Sequence, residues 1–197
     1  MRTSNFFSIA AFIICGMVCV NSVKAQDVKA QESDNVTVNL KFKPMQSISV
    51  NTAQKEVNFV YESEADYLSG VTLATHAKHL KVFSTGGFEV KVNASNENFA
   101  SGNTNLTIPV DHVSVTATAS DGNPITNYAS IGTPQPLDVV EKMIIKSSEG
   151  GTELEFDVEY DNTGDSSGAY INGYNSEHVE DGATVFTTTV TYSIVTI

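Results

Sequence analysis

The chain has 197 residues, a formal net charge of −12, and 11 basic residues against 23 acidic ones. An acidic surface of this kind repels nucleic acids and anionic membranes, so neither is expected as a partner. The length suits one domain with a substantial hydrophobic core.

The first 25 residues have the pattern of a secretory signal peptide. Arg2 is followed by the apolar stretch FFSIAAFIICGMVCV and then by Val23-Lys24-Ala25, a cleavage pattern with small residues. The stretch is shorter than the about 20 residues that a membrane-spanning helix needs. We expect cleavage after Ala25, with Ala30 as a second candidate position because VKAQ occurs twice. The protein is therefore expected to be exported to the periplasm and then to the cell surface or the extracellular space.

Both cysteines, Cys15 and Cys19, lie within this segment. The residues before them, Ile14 and Val18, are larger than a lipoprotein signal requires, so no lipid anchor is expected. Removal of the segment also removes two basic residues and changes the net charge from −12 to −14. The mature chain would have no disulfide and would be stabilised by burial and backbone pairing.

Alternating apolar and polar residues run through most of the remaining chain, a pattern typical of β-strands separated by turns. In chain order the predicted strands are NVTVNLKF, MQSISV, VNFVY, HLKVFS, FEVKVNAS, HVSVTATAS, VVEKMIIKSS, TELEFDVEY and FTTTVTYSIVTI. Gly86-Gly87 and Gly150-Gly151 each separate two runs and predict two β-hairpins. Only ADYLSGVTLATHAKHL favours a helix, and its β-branched residues and Gly70 argue against one.

Short strands with Gly-rich turns predict an all-β protein with an antiparallel, immunoglobulin-like β-sandwich. The expected organisation is a signal peptide over 1–25, a polar arm with an N-terminal strand over 26–43, and the sandwich domain over 44–197. The longest predicted loops are 122–135 and 161–181, which are rich in Gly, Ser, Asn, Asp and Pro.

The sequence contains no familiar catalytic arrangement. It lacks a G-x-S-x-G motif, an H-E-x-x-H motif and a glycine-rich phosphate loop. We therefore expect no enzymatic activity and no cofactor. His76 and His79 are three residues apart, which would place them on opposite faces of a strand. All four histidines are interpreted as surface residues.

Two segments carry candidate ligand-binding residues. Asp161, Asn162 and Asp165 offer oxygen atoms of the kind that calcium takes, although their spacing does not match an EF-hand loop and a solvated strand end is the ordinary interpretation. The segment AYINGYNSEH offers aromatic faces and amides to a sugar, with an ordinary surface loop as the alternative. Its candidate residues are Tyr170, Asn172, Tyr174 and Asn175.

The last predicted strand, FTTTVTYSIVTI, carries no charge, whereas sheet edges are normally protected by charge, proline or a covering element. The N-terminal strand is separated from the next run by Pro44, which cannot donate a ladder hydrogen bond. This strand can cover the last strand in its own domain, or it can complete the sandwich of another subunit by β-augmentation. Both arrangements remain open.

The string NVTVNLKFKP, Asn35 to Pro44, followed by an apolar run, resembles the donor-strand region of cysteine-free pilins of the alternate chaperone-usher class, the colonisation-factor fimbriae. The strand after Gly182 is similar to the closing strand of such subunits. The resemblance implies a fibre subunit that polymerises head to tail, with a periplasmic chaperone and an outer-membrane usher as partners. It departs from many pilins at Thr196, where they carry an aromatic residue. It maps the donor strand onto Val36, Val38, Leu40 and Phe42, and the closing strand onto Phe186, Val190, Tyr192 and Ile194.

The expected function is that of a structural subunit of a bacterial surface fibre that mediates adhesion. A terminal strand donated between subunits forms a head-to-tail contact, and such contacts propagate into filaments unless they close a ring. The alternative is a self-contained secreted or periplasmic binding domain for carbohydrate. Failure to accumulate when expressed alone favours the first function, and a monomer with affinity for sugars favours the second.

Overall fold

The computed structural model describes residues 32–103, 106–163 and 168–197, and in these ranges the fold consists mainly of β-strands. The three short helices of this part are a 3₁₀ turn at Thr52–Gln54, the helix α1 at Glu64–Ser69 and a 3₁₀ turn at Val110–His112. The strands are β1 (Gln46–Val50), β2 (His76–Ser84), β3 (Phe88–Ala94), β4 (Ser114–Ala119), β5 (Gln135–Pro136), β6 (Lys142–Ser147), β7 (Gly151–Asp161) and β8 (Val190–Thr196).

The strands form two antiparallel sheets that share a hydrophobic core. The large sheet has the order β1-β2-β7-β4-β5, and the small sheet has the order β6-β3-β8. Every second side chain of β7 from Leu154 to Tyr160 is buried, and so is every second side chain of β3 from Phe88 to Ala94. These two inner faces belong to the same core cluster. The predicted all-β antiparallel sandwich is confirmed.

Both predicted glycine hairpins are wrong, because the chain changes sheets at each glycine pair. β2 pairs with β1 and β7, whereas β3, beyond Gly86-Gly87, pairs with β6 and β8. β6 and β7, on either side of Gly150-Gly151, also belong to different sheets. Crossing between the sheets lets both strands of each pair turn their apolar faces toward the shared core. The two crossings touch, since a Cβ on Gly150 would lie 2.5 Å from the backbone nitrogen of Gly86.

The helix α1 is fixed at both ends by local contacts. Ser63 Oγ accepts a hydrogen bond from the backbone N–H of Asp66 at 3.3 Å, and the Asp66 carboxylate accepts one from Ser63 N–H at 2.7 Å. This capping box begins the helix, and Gly70, with φ of 74°, ends it. Helical structure in the ambiguous segment is thus confined to its first residues. None of the helices in the described ranges has the length and apolar character needed to cross a bilayer.

Two segments that were predicted as strands are not part of either sheet in the single chain. Residues 32–45 lie in no strand, and neither does the segment VNFVY at 57–61. Residues Lys41–Ile197 make up one compact unit. The predicted signal peptide over 1–25 and both candidate cleavage positions lie outside the described residues.

Candidate functional site

The candidate site is a groove between β1 and β8. β1 is the outer strand of the large sheet, β8 is the outer strand of the small sheet, and the two strands contact each other. β8 pairs with β3 along its whole length, from Val190 opposite Ala94 to Thr196 opposite Phe88. Its other edge has no partner strand in the part of the chain that the structure describes.

Apolar side chains line this groove and are incompletely covered. The inward-facing residues of β3, the strand beside β8, are fully buried. In contrast, inward-facing residues of both groove strands pack against the core but remain half-buried. They are Ile48 and Val50 on β1 and Val190, Tyr192 and Ile194 on β8. One additional strand would cover these side chains and pair with the open backbone edge of β8.

The opposite edge of the small sheet is protected. Ala129 and Ser130 make three backbone hydrogen bonds of 2.8 to 3.3 Å with Lys146 of β6. β8 lacks such a cover in the described ranges, and its seven residues include no charged side chain. The two edges of one sheet therefore differ, and β8 is the edge that is open to a further strand.

A surface cavity of about 440 Å³ lies where the end of β8 meets the start of β1. Thr85, Gly86 and Gly87, from the crossing between β2 and β3, form part of its wall. Thr196 and Ile197 contribute the end of β8, and residues 42–44 contribute the chain that leads into β1. The groove is therefore open to solvent at this end.

The residues predicted to form the donor strand are exposed. Four apolar side chains in a segment of seven residues are between 79% and 90% exposed, namely Val36, Val38, Leu40 and Phe42. Each of these side chains leaves a large apolar surface in contact with water. Burying one such side chain would contribute about 1.5 to 3 kcal/mol of favourable free energy. Exposed apolar side chains in a series mark interaction sites more often than isolated ones do. Their role as a donor strand stays a prediction.

Three of the four residues predicted for the closing strand lie in β8 and face the core. They are Val190, Tyr192 and Ile194. Phe186 instead precedes the strand, in a half-buried segment whose Thr187 exchanges backbone hydrogen bonds of 2.7 and 2.8 Å with Ala100. The expected closing strand therefore begins four residues before β8 does.

A buried polar network connects the two sides of the groove. Gln54 lies in the 3₁₀ turn directly after β1, and its Oε1 is 3.1 Å from Nδ1 of His79 on β2. Nε2 of His79 is 3.0 Å from the hydroxyl of Tyr160 on β7. The Tyr160 hydroxyl is hydrogen-bonded in turn to the hydroxyl of Tyr192 on β8. Sequence reasoning missed this network, because its members come from four separate segments.

The contacts of Gln54 define where the protons lie. Its amide nitrogen donates to the carbonyl oxygen of Ala77 at 3.1 Å, so the amide oxygen faces His79 and accepts from Nδ1–H. Nε2 of His79 then accepts from the Tyr160 hydroxyl, which accepts from Tyr192. Burial, together with the neighbouring His76, lowers the pKa of His79 to about 4. Burial raises the pKa of both Tyr160 and Tyr192, so His79 and the two tyrosines are neutral near pH 7.

The prediction that His76 and His79 lie on opposite faces of a strand is wrong. Their ring centroids are 5.5 Å apart, and His79 is only 2% exposed. The cause is a β-bulge in β2, where the pairing with β7 shifts between His76 and Leu80 and Lys78 has φ of 52°. The Asp157 carboxylate holds this bulge by accepting the Lys78 N–H at 2.7 Å. Surface location holds for His178, whereas His112 is half-buried.

The structure does not bring the four candidate sugar-binding residues together on one surface. Tyr170 is buried, with its hydroxyl 2.8 Å from Nδ1 of His112 and its ring packed edge-on against Tyr61. Tyr174 is 60% exposed and Asn172 is also exposed. Asn175 is half-buried, and its side chain accepts the N–H of Glu177 at 2.9 Å. A sugar-binding role for the exposed residues stays a prediction.

The candidate calcium ligands have partners within the protein. The Asp161 carboxylate accepts hydrogen bonds from the Thr72 hydroxyl at 2.8 Å and from Thr163 N–H at 3.0 Å. Asn162 is buried, and its Oδ1 accepts the N–H of Val71 at 2.9 Å. Asp165 lies outside the described residues. Within the described ranges no group of three or more His, Cys, Asp or Glu side chains is placed to hold a metal ion.

No protein-family model matches this chain, and no curated protein matches it. Among solved structures, it is similar to a chain from the structure of a chaperone-usher pilus, described in connection with rod uncoiling. The two chains are 12% identical with a TM-score of 0.38, over 85% of this chain and 98% of the other. Similarity at this level supports no conclusion about family or function.

Proposed function

We propose that this protein is an exported structural subunit of a bacterial surface fibre that assembles by strand donation. The segment 35–43 of one subunit fills the groove between β1 and β8 of the next. The observation that carries this proposal is that one chain has both an exposed apolar segment with period-two alternation and a groove that lacks one strand. Each of these features would cover the apolar surface of the other.

The segment and the groove match in length and in chemistry. Val36 to Phe42 and β8 both comprise seven residues, and each spans roughly 20 Å when extended at about 3.3 Å per residue. In a strand, the four apolar side chains of the segment point to one face, toward the core. Thr37, Asn39 and Lys41 point to the other face, toward solvent.

The connection to β1 favours donation to another subunit over pairing within the same chain. Only Lys43, Pro44 and Met45 separate Phe42 from β1. Met45 is held against Thr85, because its N–H donates to Thr85 Oγ1 at 2.9 Å and its carbonyl accepts from Thr85 N–H at 3.0 Å. A three-residue hairpin turn needs a residue with positive φ, usually Gly, whereas proline fixes φ near −65° and keeps Lys43 extended. These three residues are therefore a poor turn for folding back beside β1.

Donation from each subunit to the next is a head-to-tail contact, which extends into a filament. Before assembly, both the segment and the groove expose apolar surface. In this proposal a periplasmic chaperone covers the groove, and an outer-membrane usher directs the subunits to the cell surface, where the fibre mediates adhesion. These partners follow from the resemblance of the segment 35–44 to pilin donor strands.

Static and dynamic light scattering of the full chain and two double variants tests the proposal. Val38→Glu with Leu40→Glu places two charges on the face that enters the groove, where an unpaired charge is costly. Thr37→Glu with Asn39→Glu adds the same charge on the solvent face. The wild type and the second variant are expected to form long species, and the first variant is expected to stay monomeric. A synthetic peptide of residues 35–43 should raise the Tm of the monomeric variant.

If all three proteins are monomeric and the peptide does not change the Tm, strand donation is wrong. The protein would then be a self-contained domain, and a sugar screen against the surface with Asn172 and Tyr174 would follow.

A further inference from the structure

We propose that the adjacent rings of His76 and His79 make the groove sensitive to acid, so that a subunit holds a donated strand less tightly at low pH. The inference rests on the proposed function, because it concerns the regulation of the same groove. It is carried by the position of the pair, which is connected to both sides of the groove.

The two strands that border the groove, β1 and β8, form its rims, and both rims are connected to His79 by hydrogen bonds. On one side, the backbone of Asn51, directly after β1, donates to the carbonyl of His79 at 2.8 Å, and Gln54 bonds to its ring. On the other side, Tyr160 joins the His79 ring to Tyr192, whose own ring centroid is 5.9 Å from that of His79. A change in the protonation of His79 therefore affects the contacts of both β1 and β8.

An added proton reverses the hydrogen bonds on the β8 side. Protonated His79 donates from Nε2, so the Tyr160 hydroxyl must accept there and donate to Tyr192 instead. The hydroxyl hydrogen of Tyr192 then loses the acceptor that it had, and a buried donor without a partner is destabilising. The hydrogen bond from Nδ1 to Gln54 remains, since Nδ1 is already the donor.

Within the part of the chain that the structure describes, no carboxylate lies among the side chains that face the His79 ring. The titratable groups that face His79 are His76 on β2, Tyr160 on β7 and Tyr192 on β8, while the turn after β1 contributes the neutral Gln54. Nδ1 of His76 is buried without a hydrogen-bond partner in the described residues, so it has no acceptor for a proton either. The charged side chains nearest in sequence lie on the outer face of the large sheet, where Lys78 pairs with Glu155 at 2.6 Å and Lys81 pairs with Glu153.

The direction of the effect follows from the two states of the groove. In the closed state the pKa of His79 is about 4. When the rims separate and water reaches the ring, its pKa returns to about 6.5. Acid therefore favours the separated state. Because of this difference in the pKa of one histidine, the equilibrium constant for separation of the rims is on the order of 25-fold larger at pH 5.0 than at pH 7.5.

Hydrogen exchange of the full chain carrying Val38→Glu and Leu40→Glu measures this opening in a monomer with an empty groove. Amide protection in β1 and β8 is compared at pH 7.5 and pH 5.0, after correction for the intrinsic exchange rate, with β4 as an internal reference. We expect protection in β1 and β8 to fall by 10-fold or more at pH 5.0. The fall should disappear with His79→Gln and persist with His112→Gln, which removes a half-buried histidine that contacts Tyr170.

An unchanged protection in β1 and β8, or an equal fall in His79→Gln, would overturn the inference. If His79→Gln does not fold, His76→Gln replaces it, because it removes the neighbouring ring that helps to lower the pKa of His79 and leaves the bonds of His79 in place. That variant should show a smaller fall than the parent, and a fall of the same size would contradict a role for the pair.

Binding of the peptide 35–43 to the same protein at both pH values separates this inference from the proposed function. Binding that is at least 10-fold weaker at pH 5.0, and independent of pH with His79→Gln, supports both. Equal binding at both pH values overturns the inference alone. A fall in protection without any peptide binding at pH 7.5 supports the effect of the histidines on the rims and contradicts strand donation.

Discussion

At the scale of single residues, Asp157 has an influence that its half-buried position on the outer face of β7 does not suggest. Its carboxylate accepts the N–H of Lys78 at 2.7 Å and also bonds the hydroxyl of Ser120. The first contact holds the bulge that places His79 in the core. We expect Asp157→Ala to lower the free energy of unfolding by about 1 to 3 kcal/mol, because a backbone donor in a strained turn loses its acceptor.

Urea unfolding of Asp157→Ala beside Glu159→Ala checks this expectation. Glu159 lies two residues further along the same strand and face, and its contact with Thr75 is long, at 3.5 Å. Glu159→Ala should change stability by less than about 0.5 kcal/mol. Equal losses in the two variants would mean that general charge on this face, rather than the bulge, determines the effect.

His79 also makes the stability of the whole domain depend on pH. Its pKa is about 4 in the folded state and about 6.5 when unfolded, so the unfolded chain takes up the proton first as pH falls. The stabilisation is complete above pH 6.5 and is lost toward pH 4. We expect a loss of about 2 to 3 kcal/mol between pH 7 and pH 4.5, and a much smaller loss in His79→Gln. Thermal unfolding across this range measures both, and parallel curves for the two proteins would contradict the assignment.

The exposed apolar segment could be predicted from the sequence, whereas the position of His79 beside the groove could not. The alternation of Val36, Val38, Leu40 and Phe42 is visible in the sequence because a strand repeats every two residues. The position of His79 is not, because a bulge lies between His76 and Leu80, where four residues of β2 pass two residues of β7, and His79 turns into the core beside Leu80. Lys78 has no sequence feature that marks it for positive φ, and Asp157, which fixes that conformation, lies 79 residues away.

At the scale of strands, the sequence predicted most elements but not their partners. Burial alternates along β3 and along β7 from Leu154, as their sequences indicate. In β2 and β6 two adjacent residues are buried, His79 with Leu80 and Ile144 with Ile145, and the pairing of each strand is shifted. Alternation does not indicate whether two successive strands pair side by side or face each other across a core. A linker of two glycines can connect strands of one hairpin or strands of two facing sheets. The hairpin is the simpler interpretation of such a linker, and here it is wrong.

The crossings between the sheets give a prediction at this scale. A Cβ on Gly150 would overlap the carbonyl of Ser84 and lie 2.5 Å from the nitrogen of Gly86. Both obstacles are backbone atoms, so the strands would have to move apart. We expect Gly150→Ala to lower the free energy of unfolding by more than about 2 kcal/mol. A Cβ on Gly86 has no atom within 4 Å, so Gly86→Ala should be neutral in the same chemical denaturation experiment. Similar values for both would show that the crossings do not pack as described.

At the scale of the whole molecule, the open groove and the exposed segment allow two arrangements, and covalent linkage distinguishes them. Asn39 points to solvent in a donated strand, and Thr191 and Val195 lie on the outer face of β8, so cysteines there leave the apolar contacts intact. In the chain of residues 26–197, Asn39→Cys is combined with Thr191→Cys or with Val195→Cys, and Asn39→Cys with Thr118→Cys on β4 is the control. Because Lys43, Pro44 and Met45 form a poor turn, we expect mild oxidation of at least one groove pair to give a ladder of covalent oligomers on a denaturing gel, and the control to give none. A monomer that migrates faster than its reduced form would instead show that the segment pairs with its own β8, and each sandwich would then close on itself.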